Sequence, residues 1–408
     1  MKKALAATFL LLLCLGLGGC GLTQQPEHQA YVITLGIDRA QNGQVEVWVQ
    51  VPSIGGGGSS EDSGSGGSKY EMFSAQGADL SDALDLLAAT LPSRLQLTLT
   101  KSVVVAEAVA RSQDFKHILD DLVLSYHIYD SAAVIVTRGT ARDFLAAQKP
   151  SIGIRLSTSV MAALEQFRQS GYIPYNTLYD LFSANHSIYS DPVLILADTG
   201  PEDTQGQDGQ GQAPASAGEP PSLDGQTARN GGGTGEDGPV STAQDAYPGT
   251  LPRTGPNLNQ YMGCALMRDG QMVGTLDGVS SRWLCVLRGE VDSVSYLAQG
   301  QALELRAQGA PQAHLELGEQ SLEIQIELAL RAYPPRRNID LEQVRRRVTQ
   351  DITRLFAQCQ QAGVEPLNLA QRAALGFPTV DSFTAYAFRE KFCQAAVDVS
   401  VTVELGQE

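Results

Sequence analysis

Leu322-Glu323-Ile324-Gln325-Ile326-Glu327-Leu328-Ala329-Leu330, and then Leu341, Val344, Val348, Ile352, Leu355, Phe356 and Cys359, decide the fold class. In the first run every second residue is a large aliphatic or follows that phase, the period of a strand with one buried face. In the second the apolar residues recur every three or four positions, which puts them on one stripe of a long amphipathic helix. Asp340 and Gln343 have capping-box spacing at its start, and Gly363 suits its end. A last strand carries Val397, Val399, Val401, Val403 and Leu405 on one face, with Asp398, Ser400, Thr402 and Glu404 on the other. Upstream, Cys264-Ala265-Leu266-Met267 and Met272–Leu276 flank Arg268-Asp269-Gly270-Gln271, whose Asp-Gly is the strongest short hairpin signal. Long helices among antiparallel strands predict an α+β, multi-domain chain with mixed or antiparallel sheets, not a doubly wound one.

The region before this block alternates between strand and helix signals. Tyr31–Ile37, Val45–Val51, Ala132–Thr137 and Pro192–Leu196 read as strands. Leu80, Ala83, Leu84, Leu87 and Leu91 share a helical face, as do Phe115, Ile118, Leu119 and Leu122. Further helices are expected from Thr140, over Ser159–Arg168 and over Thr177–Phe182. Two low-complexity stretches interrupt the pattern. Residues 53–68 are nearly all Gly and Ser with two acids, and read as a flexible loop between strands. Residues 199–259 are rich in Gly, Pro, Gln, Ser and acids, too poor in aliphatics to offset the entropy of ordering them. The expected organisation is a leader at 1–19, an N-terminal region at 20–198 that can itself divide in two, a linker at 199–259 and a C-terminal domain at 260–408.

The leader fixes the expected compartment. Lys2 and Lys3 precede an apolar run from Leu5 to Leu17, too short for a comfortable membrane span. It ends in Leu17-Gly18-Gly19-Cys20, which resembles the lipobox of bacterial lipoproteins. On that reading Cys20 carries diacylglycerol and acyl chains, and the exported protein is tethered to the outer face of a membrane. With 45 acidic residues against 29 basic ones, the formal charge is −16, which repels phosphate backbones and disfavours nucleic acid as a partner.

Sites of chemistry are sparse. Five histidines occur, none in a His-Glu-x-x-His motif, and His117 with Asp120 is a lone helical pair with metal-compatible spacing. Cys264, Cys285, Cys359 and Cys393 could form up to two disulfides in an exported protein, while Cys359 on its apolar stripe suits a buried thiol equally well. The glycine runs lack a phosphate-binding context, and no nucleophile elbow is present. No catalytic, metal or cofactor residue is assigned. Arg336, Arg337, Arg345, Arg346, Arg347 and Arg354 form a basic cluster in an acidic chain. Arg345, Arg346 and Arg347, with the 263–274 hairpin, are the candidate partner contacts.

The order of several motifs resembles the Ger(x)C family, the lipoprotein C subunits of spore germinant receptors. The residues that carry this are the Cys20 lipobox, Leu35-Gly36-Ile37-Asp38, Ala75-Gln76-Gly77 and the 101–110 run Lys101-Ser102-Val103-Val104-Val105. They continue with Gly263–Gly274, Leu276-Asp277-Gly278, Ser281-Arg282, Asn368, Gly376-Phe377 and Phe392. Thr100 stands where the family usually has histidine, and Phe383, Phe388 and Phe392 fill a stretch usually richer in tryptophan. The resemblance implies a non-enzymatic subunit on the spore inner membrane, with an A subunit and a multi-spanning B subunit as partners. The competing reading is a solute-binding lipoprotein of an ABC-type importer, which needs two lobes closing on a ligand. An envelope hydrolase would need a nucleophile or metal constellation that the sequence does not offer.

Overall fold

The computed structural model describes residues 29–52, 70–148, 156–200, 247–251, 257–335 and 339–406. The leader, Cys20, the 53–68 loop, residues 201–246 of the linker, Arg336 and Arg337 lie outside the described residues.

Eight strands form the larger sheet, in the order β10-β9-β8-β7-β6-β2-β3-β4. They are β2 (Thr34–Arg39), β3 (Val45–Pro52), β4 (Tyr70–Gly77), β6 (Ser102–Ala106), β7 (Ala133–Thr137), β8 (Val193–Thr199), β9 (Asn259–Arg268) and β10 (Gln271–Leu276). A short parallel pair, β1 (Gln29–Tyr31) with β5 (Arg94–Gln96), lies apart. The centre of the large sheet, β2-β6-β7-β8, is parallel, and antiparallel strands complete both sides. Every residue of β6 and β7 is buried. Strands covered on both faces lose the two-residue alternation, which is why Val103-Val104-Val105 is a continuous apolar run.

Helices α1 (Leu80–Thr90), α3 (Phe115–Leu124) and α6 (Leu178–Asn185) pack one face, while α4 (Ala141–Ala147) and α5 (Leu156–Gln169) pack the other. The short α2 (Glu107–Ala110) follows β6 directly. The conformation at Gly77 joins β4 to α1 with no room to spare: a Cβ there would lie 2.2 Å from the Ala83 nitrogen.

The smaller sheet contains β11 (Ser293–Ala298), β12 (Gln301–Ala307), β13 (Gln312–Leu317), β14 (Leu322–Tyr333) and β15 (Ala396–Leu405). The long β14 is flanked on one side by β12 and β13, and on the other by β15. The β14–β15 register runs unbroken and parallel from Glu323↔Ala396 to Ala332↔Leu405. Between these strands lies α8 (Leu341–Ala362), whose Val344, Val348, Ile352, Leu355, Phe356 and Cys359 face the β14 aliphatics in one core. Each such burial is worth about 1.5–3 kcal/mol. Asp340 caps α8 by accepting from Glu342 N at 3.0 Å and Gln343 N at 3.2 Å. The return bond of a capping box is made by a different residue, because Gln299 Oε1 accepts from Asp340 N while Gln343 bonds Gln299. Gly363 ends α8 with φ +66°. The core is completed by α7 (Gly278–Leu287), α9 (Leu369–Ala374), α10 (Val380–Tyr386) and α11 (Phe388–Phe392). Phe383, Phe388 and Phe392 are all buried in it. The class is α+β with mixed sheets and long packing helices.

The two halves share the larger sheet. β8 and β9 are antiparallel neighbours from Val193↔Leu266 to Thr199↔Asn259, so the ends of the intervening segment lie side by side. Thr199 and Asn259, which composition assigned to the linker, are strand residues. Part of the rest is also held: Gln260 Oε1 accepts from Gly249 N and Leu251 N, Gln260 Nε2 donates to Leu251 O, and Arg138 stacks over Tyr247. A few anchoring side chains are lost in the average composition of so long a window.

Candidate functional site

A single charged network ties the halves together where the 186–192 segment passes from α6 to β8. Asp191 is 6% exposed. Its Oδ1 accepts from Arg389 Nη2 on α11 at 2.6 Å, and its Oδ2 accepts from Glu365 N at 3.0 Å. Arg389 Nη1 reaches Asp269 at 3.2 Å, at the tip of the β9–β10 hairpin. Glu365 is 3% exposed and caps α9: its Oε1 accepts from Leu367 N at 2.7 Å and its Oε2 from Ala370 N at 3.1 Å. Burial, together with the neighbouring Asp191 charge, pushes Glu365 up to about 7, against the pull of its backbone donors. Burial also raises Asp191, opposed by the Glu365 N–H and by Arg389. Arg389 thus fixes three segments distant in sequence: the approach to β8, the hairpin tip and the C-terminal helices.

The network forms one wall of a pocket of about 330 Å³, whose other walls include Ile188, Tyr189, Phe383, Ala387 and Phe388. A second hollow of about 610 Å³ adjoins it through Ile188 and Tyr189, and runs between α6 and α10 past Phe182, His186 and Val380. Ile188, Val380, Tyr175 and Tyr179 are each more than half exposed around this region. Apolar side chains and ordered charges thus line one concave surface, the kind of site that takes a ligand or a partner.

The hairpin is placed by its own backbone. Asp269 (φ +52°) and Gly270 (φ +81°) make the turn that two consecutive left-handed residues allow. Within β9, Gly263 has φ +86°, donates its N–H to Tyr172 O at 2.8 Å, and leaves no space for a side chain: a Cβ would lie 2.3 Å from Leu276 O. The neighbouring motifs are structural too. Asp277 caps α7 through Ser280 N at 2.8 Å. Ser281 Oγ donates to Tyr172 O, and Arg282 is buried under the Tyr172 ring while donating to Ser295 O. Asp38 caps α4, accepting from Ala141 N at 2.7 Å and Arg142 N at 2.9 Å.

Of the residues singled out from sequence, Arg345 is engaged by Glu342 at 2.5 Å, Arg346 is exposed and Arg347 half-buried. Three consecutive residues spread about 200° around a helix, so they flank the buried stripe of α8 instead of forming one face. Arg354 turns to Asp277 and Asp351. His117 is exposed, while Asp120 faces His186 at 3.7 Å. Cys264, Cys285, Cys359 and Cys393 are all free thiols, the first three buried. Burial pushes Cys264 up to about 12 and raises Cys285 and Cys359 further from reactivity. The sequence places Asp269 in the turn of the 263–274 candidate contact hairpin but does not reveal its network with Asp191, Glu365 and Arg389. Among the described residues no helix is long and apolar enough to cross a membrane.

The chain matches two family models: the spore germination protein N-terminal domain over residues 23–199, and the spore germination B3/GerAC-like C-terminal domain over residues 262–407. It is 30% identical over 149 residues to YfkR of Bacillus subtilis (strain 168), a protein whose name assigns it provisionally to spore germination. That match spans 36% of this chain and 38% of the relative. The crystal structure of the GerBC protein superposes with a TM-score of 0.49 at 10% identity, covering 91% of this chain and 97% of that one, a likeness that adds nothing to the sequence match. With both domains present in order, the chain belongs to the GerAC-like spore germination family, Ger(x)C.

Proposed function

We propose that this protein is a non-enzymatic, membrane-anchored lipoprotein subunit of a nutrient germinant receptor. It is held by lipid on Cys20 at the outer face of the spore inner membrane, beside the receptor's A and B membrane subunits. The observation that carries the reading is the ordered pair of germination domains over 23–199 and 262–407. The shared sheet supports a rigid contact module: β8 and β9 bind the two halves through a backbone ladder, where a solute binder needs a hinge between lobes. Gentle-detergent pull-down of the tagged protein from spore membranes, with mass spectrometry of what accompanies it, tests the reading. Recovery of a multi-spanning transporter-like protein and a second large membrane subunit is expected. Recovery of an ATPase and a permease would overturn it. The Cys20→Ala variant is expected to leave the membrane fraction.

A further inference from the structure

We infer that the free edge of β15 is a docking site for an extended segment of another protein, one that carries a lysine or arginine to lie opposite Asp398. Three observations lead there. The first is backbone chemistry. Gly406 N donates to Ala332 O, so the alternation along the strand turns the N–H and C=O groups of Val397, Val399, Val401, Val403 and Leu405 away from β14. Among the described residues no strand pairs with that side. Gln360 Nε2 holds the turn just before the strand, donating to Phe392 O and Ala395 O.

The second is that the edge lacks the usual protection. Exposed edges are normally blunted by proline, a bulge, charged side chains (lysine above all) or short length, because a bare row of donors and acceptors recruits other chains; β15 has only the outward Asp398 and Glu404 of these. β15 has a regular ten-residue run without proline, lysine or register shift. Val397, Val399 and Val403 are only half-buried, so their inward face is incomplete beside α8. An added strand would satisfy the backbone and cover these valines, the mode of β-strand addition.

The third is charge, which selects the occupant. On the outward face Asp398 of β15 lies opposite Gln325 with Glu323 and Glu327 of β14 as its diagonal neighbours, three carboxylates in one patch, whereas Glu404 is already opposite Arg331, the single base on these two strands. A basic side chain opposite Asp398 makes a favourable cross-strand pair. A second copy would bring two further carboxylates to the same ribbon.

The test uses the full chain in detergent micelles and a short fluorescent peptide alternating valine with lysine, read by anisotropy and by hydrogen exchange at the outward amides. Saturable binding is expected, with slowed exchange at Val399 and Val401. Replacing the peptide lysines with glutamate should abolish it. The exposed Asp398→Lys should weaken binding about fivefold, from one reversed cross-strand pair, and it leaves the Glu404–Arg331 pair to β14 in place. Val399→Pro should block it, and because that N–H faces outward the strand's own pairing to β14 is kept. Affinity weaker than about 1 mM, or binding unchanged in both variants, would overturn the inference. Concentration-dependent self-association abolished by Val399→Pro would also overturn it, by making a second copy the occupant.

Discussion

Replacing Glu365 by Gln tests whether the buried carboxyl at the seam governs stability near neutral pH. Its folded value of about 7 lies above the ordinary 4.5 because burial and the Asp191 charge disfavour the carboxylate. The folded chain therefore holds this proton more tightly than the unfolded chain does. Stability from this group is fully present below pH 4.5, falls as pH rises from 4.5 to about 7, and is flat above that. A difference of that size corresponds to about 3 kcal/mol. Glutamine cannot ionise; it keeps an acceptor for one of the Leu367 and Ala370 amides and turns its NH2 toward the other, a cost that does not change with pH. Urea unfolding at a series of pH values, followed by fluorescence of Trp283, which is 1% exposed in the same core, gives the two stability curves. Measured from whatever offset the lost acceptor produces at pH 4.5, the variant should gain about 3 kcal/mol relative to the native protein by pH 8. A constant offset across this range would refute the reasoning, since it would mean that the backbone donors keep Glu365 ionised throughout.

Three other outcomes follow from the same geometry. Arg389→Ala leaves Asp191 buried with only the Glu365 amide, and should cost about 2–3 kcal/mol in urea unfolding, discounted for the partial exposure of Arg389; in a double-mutant cycle with Asp191→Asn the losses should not add. Gly263→Ala drives a Cβ into the Leu276 carbonyl at a left-handed position, so a loss of about 2 kcal/mol or more is expected, read from the thermal midpoint. Thiol titration of the native protein should modify Cys393 rapidly and leave Cys264, Cys285 and Cys359 protected until denaturant is added; fast reaction of all four would contradict the packing.

Elements whose local pattern matches their environment were legible in the sequence. The α8 stripe, its Asp340 cap and Gly363 stop, the Asp269-Gly270 turn and the alternation of β14 and β15 all reflect one-sided burial at short range. The parallel pairing of β14 with β15 was not legible, because alternation reports which face is buried and not the direction of the neighbour. β6 and β7 hid their parallel setting for a related reason, being covered on both faces. The seam network was invisible because Asp191, Asp269, Glu365 and Arg389 are brought together from widely separated segments. Nothing local distinguishes these residues from solvated charges until the fold removes Asp191 and Glu365 from water.

The β8–β9 ladder changes what counts as a unit of this protein. The two germination-domain matches end at residue 199 and begin at residue 262, yet that boundary falls inside one sheet. A cut within residues 201–246 would sever the polypeptide without severing the molecule, since the β8–β9 ladder and the Arg389–Asp191 bridge would still hold the pieces. Fragment complementation is the natural behaviour of such a chain. The first fragment made alone would expose β8 as an unfilled, apolar edge, so the two segments recognised separately by sequence are obliged to fold as one.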